Sequence, residues 1–121
     1  MKKKATIFCD IDGTIIVHKD FGSIGKIKPE LTPNAEKIND WVDKGHHVIL
    51  TTARPENLRK VTERELTDLG LRWSRLIMGI GRGPRILIND EEPNGFGPKA
   101  MAFSIKRNSG LSSVTPVCLD N

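Results

Sequence analysis

The chain has 121 residues, 37% of them hydrophobic and 28% charged, with a formal net charge of +4. That length and balance fit one globular domain over residues 1–121 and exclude a disordered or fibrous chain. The two cysteines, Cys9 and Cys118, lack metal-ligand spacing, which excludes a zinc site or a disulfide scaffold and fits a reducing cytosol.

Residues 5–9 form a short, almost wholly apolar run, as in a strand covered on both faces. With the Lys2-Lys3-Lys4 tail before it, this run is too short for a secretory leader, and Asp10 ends it. Residues 21–28, "FGSIGKIK", are too long for a tight turn and suit a hairpin flap. Thr32 and Pro33 supply an N-cap and a first helical position. Ala35, Ile38, Trp41 and Val42 then follow at helical spacing, and Gly45 supplies the stop. A second strand is predicted over 48–50, and Pro55 opens a second helix. Its apolar stripe is Leu58, Val61, Leu66 and Leu69, before Gly70. Further strands are predicted over 76–78, 86–88 and 100–105. Only "GIGRGPR" separates the third from the fourth, fewer residues than a helical crossover needs. No run approaches membrane-spanning length, so a soluble cytoplasmic protein is expected. The β–α–β–α–β order implies an α/β fold: a Rossmann-like parallel sheet in three layers, with helices on both faces.

In open α/β sheets, ligands bind at the carboxyl ends of the strands. Those ends carry Asp10-Ile11-Asp12-Gly13-Thr14, then Thr51-Thr52-Ala53-Arg54, then Asn89-Asp90-Glu91-Glu92. Two aspartates in an apolar run need a cation to offset their repulsion, and hard oxygen ligands suit Mg²⁺. A calcium-binding EF-hand loop fails on spacing. Counting from Asp10, its required glycine falls on Ile15 and its required acid on Phe21. His18, His46 and His47 are read as having no chemical role, and Cys9 as a small buried hydrophobe. Trp41 and Trp73 are core candidates, and no aromatic platform for stacking single-stranded nucleic acid is evident.

In these motifs the sequence resembles the haloacid dehalogenase (HAD) superfamily of phosphohydrolases. Its D-x-D-G-T motif matches residues 10–14, its Ser/Thr motif matches Thr52-Ala53-Arg54, and its acidic motif matches Asn89-Asp90-Glu91. The resemblance covers about residues 5–108. It implies that Asp10 is the nucleophile, forming an aspartyl-phosphate, and that Asp12 is the general acid and base. It implies that Asp10, the Asp12 carbonyl and Asp90 hold Mg²⁺. It also implies phosphate binding by Gly13, Thr52, Ala53 and Arg54. Arg54 reads equally well as an ion-pair partner for a helix acid. Asn89 stands where the family has an acid, so the metal charge falls to Asp90, or to Asp90 with Glu91. The family's phosphate-neutralising cation has four candidates: Arg82, Arg85, Lys99 and Lys106. Arg82 is favoured because it follows the third strand, whereas Arg85 would begin the fourth, at the far end of the sheet.

No insertion long enough for a cap domain interrupts the motifs, so the resemblance is to the small capless type. A Mg²⁺-dependent phosphomonoesterase is therefore expected, acting on a small phosphorylated metabolite such as a phosphosugar. A homo-oligomer could enclose so small a substrate. The first alternative is a phosphatase of nucleic-acid 3′ or 5′ ends, like the phosphatase half of polynucleotide kinase-phosphatases. It ranks second because no dense Lys/Arg stripe lies outside the tail. The other alternative is a non-catalytic phospholigand-binding domain on the same fold.

Overall fold

Three parallel strands and two helices make up the regular structure of the computed structural model, which describes residues 3–95 and 98–111. In chain order they are β1 (Thr6–Asp10), α1 (Ala35–Asp43), β2 (His47–Thr51), α2 (Arg59–Asp68) and β3 (Arg75–Ile77). The strands lie in the order β1-β2-β3. Asp10 is in register with Thr51, and Thr51 with Ile77, so the three strands end on one row.

The helices form where the apolar spacing predicts them, with shifted starts. Pro33 and Asn34 make a turn before α1, and Thr32 Oγ1 accepts from the Asn34 N–H at 3.4 Å. Pro55 opens a short 3₁₀ turn, Glu56–Leu58, and α2 begins only at Arg59. Gly45 ends α1 as expected. Its φ is +89°, and the chain closes with Gly45 N–H donating to the Val42 carbonyl and His46 N–H to that of Trp41.

Both crossovers step the same way across the sheet. Right-handed connections then put α1 and α2 on one face. Strand burial alternates to match. Val48 and Leu50 are fully buried, and Cys9 and Leu76 nearly so. On the opposite face, Phe8 is 56% exposed and Ile77 is 42% exposed. Ile11, Ile15, Ile16, Ile38 and Leu66 complete the fully buried core. Burying each such side chain contributes about 1.5–3 kcal/mol.

This corrects the expectation of helices on both faces: among the described residues, one face carries them. The strands predicted at 86–88 and 100–105 are also absent. Ile86 and Ile88 are 83% and 89% exposed, and Met101 and Phe103 are exposed too. The cause is the short connection after β3. Residues 78–85 are too few, and too rich in Gly and Pro, to carry the chain back for a parallel pairing. An apolar run without a ladder partner is not a strand.

Candidate active site

The turn after β1 is tight because its glycine permits it. Gly13 has φ +86°, its N–H donates to the Ile16 carbonyl at 2.7 Å, and Ile15 N–H donates to the Ile11 carbonyl at 2.8 Å. The apolar residues of this turn go inward: Ile11, Ile15 and Ile16 are fully buried. Its polar residues are thereby held at the end of the sheet. Thr14 Oγ1 donates to Asp10 Oδ2 at 3.3 Å. Asp10 remains in contact with solvent, and its carboxyl pKa lies above the ordinary carboxylate value. Loss of surrounding water raises it first, and the nearby Asp12 charge adds to this. The Thr14 hydroxyl, the Ile11 main chain and the Arg85 charge oppose the rise.

Asp12 is gripped by Arg54. Arg54 Nη2 donates to Asp12 Oδ1 at 2.8 Å and Nε donates to Oδ2 at 2.9 Å. The guanidinium is fully buried. Its Nη1 donates to Thr62 Oγ1 and Glu65 Oε1 on α2, each at 3.0 Å. Glu65 continues the chain to Lys19, 3.5 Å away, and Lys19 Nζ donates to the Ile27 carbonyl. Two acids and the hydroxyl of Thr62 thus hold one arginine. Of the two roles open for Arg54, the structure assigns the ion pair, and the residue aims Asp12 rather than facing a ligand.

Thr52 closes the second motif and is 1% exposed. Its Oγ1 accepts from the Arg54 N–H at 3.0 Å, a bond that leaves its own proton to donate. Chain beyond β3 pins this loop: Gly79 N–H donates to the Arg54 carbonyl and Ile80 N–H to that of Thr52. Ala53, between them, is half-buried.

The acidic segment 89–92 makes its ion pairs with Lys99. Asp90 Oδ1 accepts from Lys99 Nζ at 2.8 Å, and Glu92 is 3.9 Å from the same nitrogen. The Lys99 hydrogen bond, then its charge, holds the Asp90 carboxyl below the usual range. Asn89, Asp90, Glu91 and Lys99 line a cavity of about 470 Å³. Among the described residues, no three His, Cys, Asp or Glu side chains gather closely enough to hold a metal. Asp90, expected to join Asp10 and the Asp12 carbonyl on the metal, is seen paired with Lys99. The Asp10 carboxylate, in no ion pair among the described residues, still fits a hard divalent ion. Such an ion would take its other ligands from phosphate oxygens and water.

The cation candidates separate as well. Arg82 stacks on Phe21, 4.6 Å from the ring centre. Lys99 is held by Asp90 and Glu92. Arg85, free of the expected fourth strand, is the one whose charge reaches Asp10. Its Nη1 donates to the Gly83 carbonyl at 2.7 Å and also to that of Gly81.

Several residues at the site were not singled out from the sequence. Glu65 carried a usable signal, since it lies four residues after Val61 and four before Leu69, on the apolar stripe. An acid there needs a buried partner. Asn34, Arg107 and Asn108 carried none. Asn34 Nδ2 donates to the Thr14 carbonyl at 2.6 Å and to the Ser109 carbonyl at 2.9 Å. Asn108 N–H donates to the Gly13 carbonyl at 2.6 Å.

No family model matches this chain, and no curated protein matches it. Among solved structures, a chain of the Pnkp1/Rnl/Hen1 complex is similar to it, with 26% sequence identity and a TM-score of 0.56. The match covers 69% of this chain and 30% of that one, so the present chain spans less than a third of its neighbour's length. What these findings establish together is a small α/β protein with a three-stranded parallel sheet and a distant structural neighbour in that complex.

Proposed function

We propose that the chain is a phosphomonoesterase of the haloacid dehalogenase type, with Asp10 as nucleophile and Asp12 as proton carrier. The observation that carries this reading is the buried Arg54 fork on Asp12, two residues from the Asp10 carboxyl at the end of β1. A buried arginine holding a second acid in one orientation is costly as a packing device. It is what a site needs when one carboxylate must attack and its neighbour must move a proton.

The chemistry follows in two displacements. An Asp10 oxygen bonds to phosphorus as the ester P–O bond breaks, and the departing oxygen takes a proton from Asp12. Water then attacks the acyl phosphate, Asp12 takes its proton, and inorganic phosphate leaves with Asp10 restored. Mg²⁺ at Asp10 and the Asp12 carbonyl would supply the positive charge that offsets repulsion between carboxylate and phosphate. The hydroxyl of Thr52 and the main-chain N–H of Ala53 are the groups suited to phosphate oxygens, while Gly13, whose N–H is spent on the Ile16 carbonyl, leaves room for their approach.

For the substrate we favour a phosphorylated nucleic-acid end over a phosphosugar. The support is the likeness to a chain of the Pnkp1/Rnl/Hen1 complex, together with the chain's net charge of +4.

The test is turnover of para-nitrophenyl phosphate with and without Mg²⁺, followed by a panel of 3′- and 5′-phosphorylated oligonucleotides and sugar phosphates. Activity should need Mg²⁺, vanish in Asp10→Asn and fall by about 10²–10⁴ in Asp12→Asn. Oligonucleotide ends should have the higher kcat/KM. Full activity in Asp10→Asn would overturn the mechanism. Faster turnover of sugar phosphates would return the substrate to a small metabolite.

A further inference from the structure

A second element reaches the Asp10–Thr14 loop, from the far end of the described chain. Asn108 N–H donates to the Gly13 carbonyl at 2.6 Å, and the His18 N–H donates to Asn108 Oδ1 at 2.8 Å. Asn34 bridges the Thr14 and Ser109 carbonyls. The turn at 107–108 is therefore tied to the motif loop from three directions. Asn108 sits in left-handed backbone, φ +63°, which asparagine tolerates better than most residues.

That geometry lays Arg107 across Gly13. A β-carbon on Gly13 would meet Arg107 Cγ at 3.2 Å. The aliphatic stem thus occupies the space that the missing side chain leaves, with Cδ at 3.9 Å from the same point. Arg107 is exposed and joins no ion pair among the described residues. Four other cations have partners of their own within the protein. Arg54 is buried against Asp12 and Glu65, Lys99 is held by Asp90, and Arg82 stacks on Phe21. Arg85 spends Nη1 on two glycine carbonyls.

We infer that Arg107 is a phosphate-binding residue of this site, its planar fork engaging two non-bridging oxygens of a phosphoryl group on the Asp10–Thr14 loop. A guanidinium offers paired donors at the spacing of phosphate oxygens, which an ammonium does not. The assignment deepens the phosphatase reading and rests on it. It also gives Gly13 a second reason to be glycine: the stem of Arg107 needs the room.

The test is calorimetric titration of inorganic phosphate into the full chain, with Mg²⁺ present and ionic strength held constant. Arg107→Met keeps the stem over Gly13 and removes only the fork. It should weaken phosphate binding roughly tenfold or more, the size expected for a lost charge-assisted pair. Arg107→Lys should recover part of that loss, and Lys106→Ala should stay within about twofold of wild type, since a single solvated charge contributes little. In turnover, Arg107→Met should raise KM more than it lowers kcat. Unchanged phosphate affinity in Arg107→Met, an equal loss in Lys106→Ala, or no phosphate binding by wild type would each overturn the assignment. Arg107-dependent phosphate binding without turnover of any phosphomonoester would sink the phosphatase reading and leave the anion site standing.

Discussion

Arg54 has every mapped contact inside the protein. Its fork meets Asp12 with two bonds and Glu65 with one, and none of its surface reaches solvent. Removing it strands two buried acids, so Arg54→Met should cost about 3–5 kcal/mol of stability, read as a lowered urea midpoint. Arg54→Lys should rescue little, because one ammonium cannot bridge both oxygens of Asp12 and still reach Glu65. A wild-type midpoint in Arg54→Met would mean that the ion-pair chain carries no structural weight. Asp12 was legible in the sequence as an acid beside Asp10. Its orientation was not, because the residue that sets it lies 42 positions away.

At the next scale, β1 is pinned at its start as well as at its end. The Ala5 N–H donates to His46 Nδ1 at 3.0 Å, just ahead of the strand. His46 is buried, and its pKa lies below the ordinary 6.5, first through loss of water and then through the charges of Lys4 and Lys44. A histidine depressed in the folded state binds its proton more readily when unfolded. Its contribution is therefore intact above about pH 6.5 and is lost as the pH falls through and below that value. The urea midpoint should drop more between pH 7.5 and 5.5 in wild type than in His46→Gln, whose amide oxygen can still accept from Ala5. Equal drops would remove His46 from this role. The sequence had assigned this residue no chemistry, and its structural use is compatible with that. Elements that formed as predicted, β1 to β3 with α1 and α2, each join an apolar pattern to a neighbour within reach. Residues 86–88 have the same pattern and no such neighbour, so they stay exposed.

Across the whole molecule, burial is one-sided. Leu50 faces the helices and is fully buried, whereas Phe8, on the adjacent strand, faces away and is 56% exposed. Phe8→Thr should therefore change stability by no more than about 0.5 kcal/mol. Leu50→Ala should cost about 2–5 kcal/mol, the cost of opening a cavity in a packed core. Comparable losses in the two variants, measured by urea unfolding, would mean that the second face is covered in solution.

Local pattern was enough for the sheet, for the two helices and for the cluster of polar residues where the strands end. Periodicity and turn chemistry act within a few residues, and the sequence carries them openly. Pairings between distant positions were decided only by the tertiary structure: Arg54 with Asp12 and Glu65, Asn108 with Gly13, Lys99 with Asp90. Any basic residue could in principle meet any acidic one. Only the path of the backbone, set by which apolar runs find partners, selects the pairs that form.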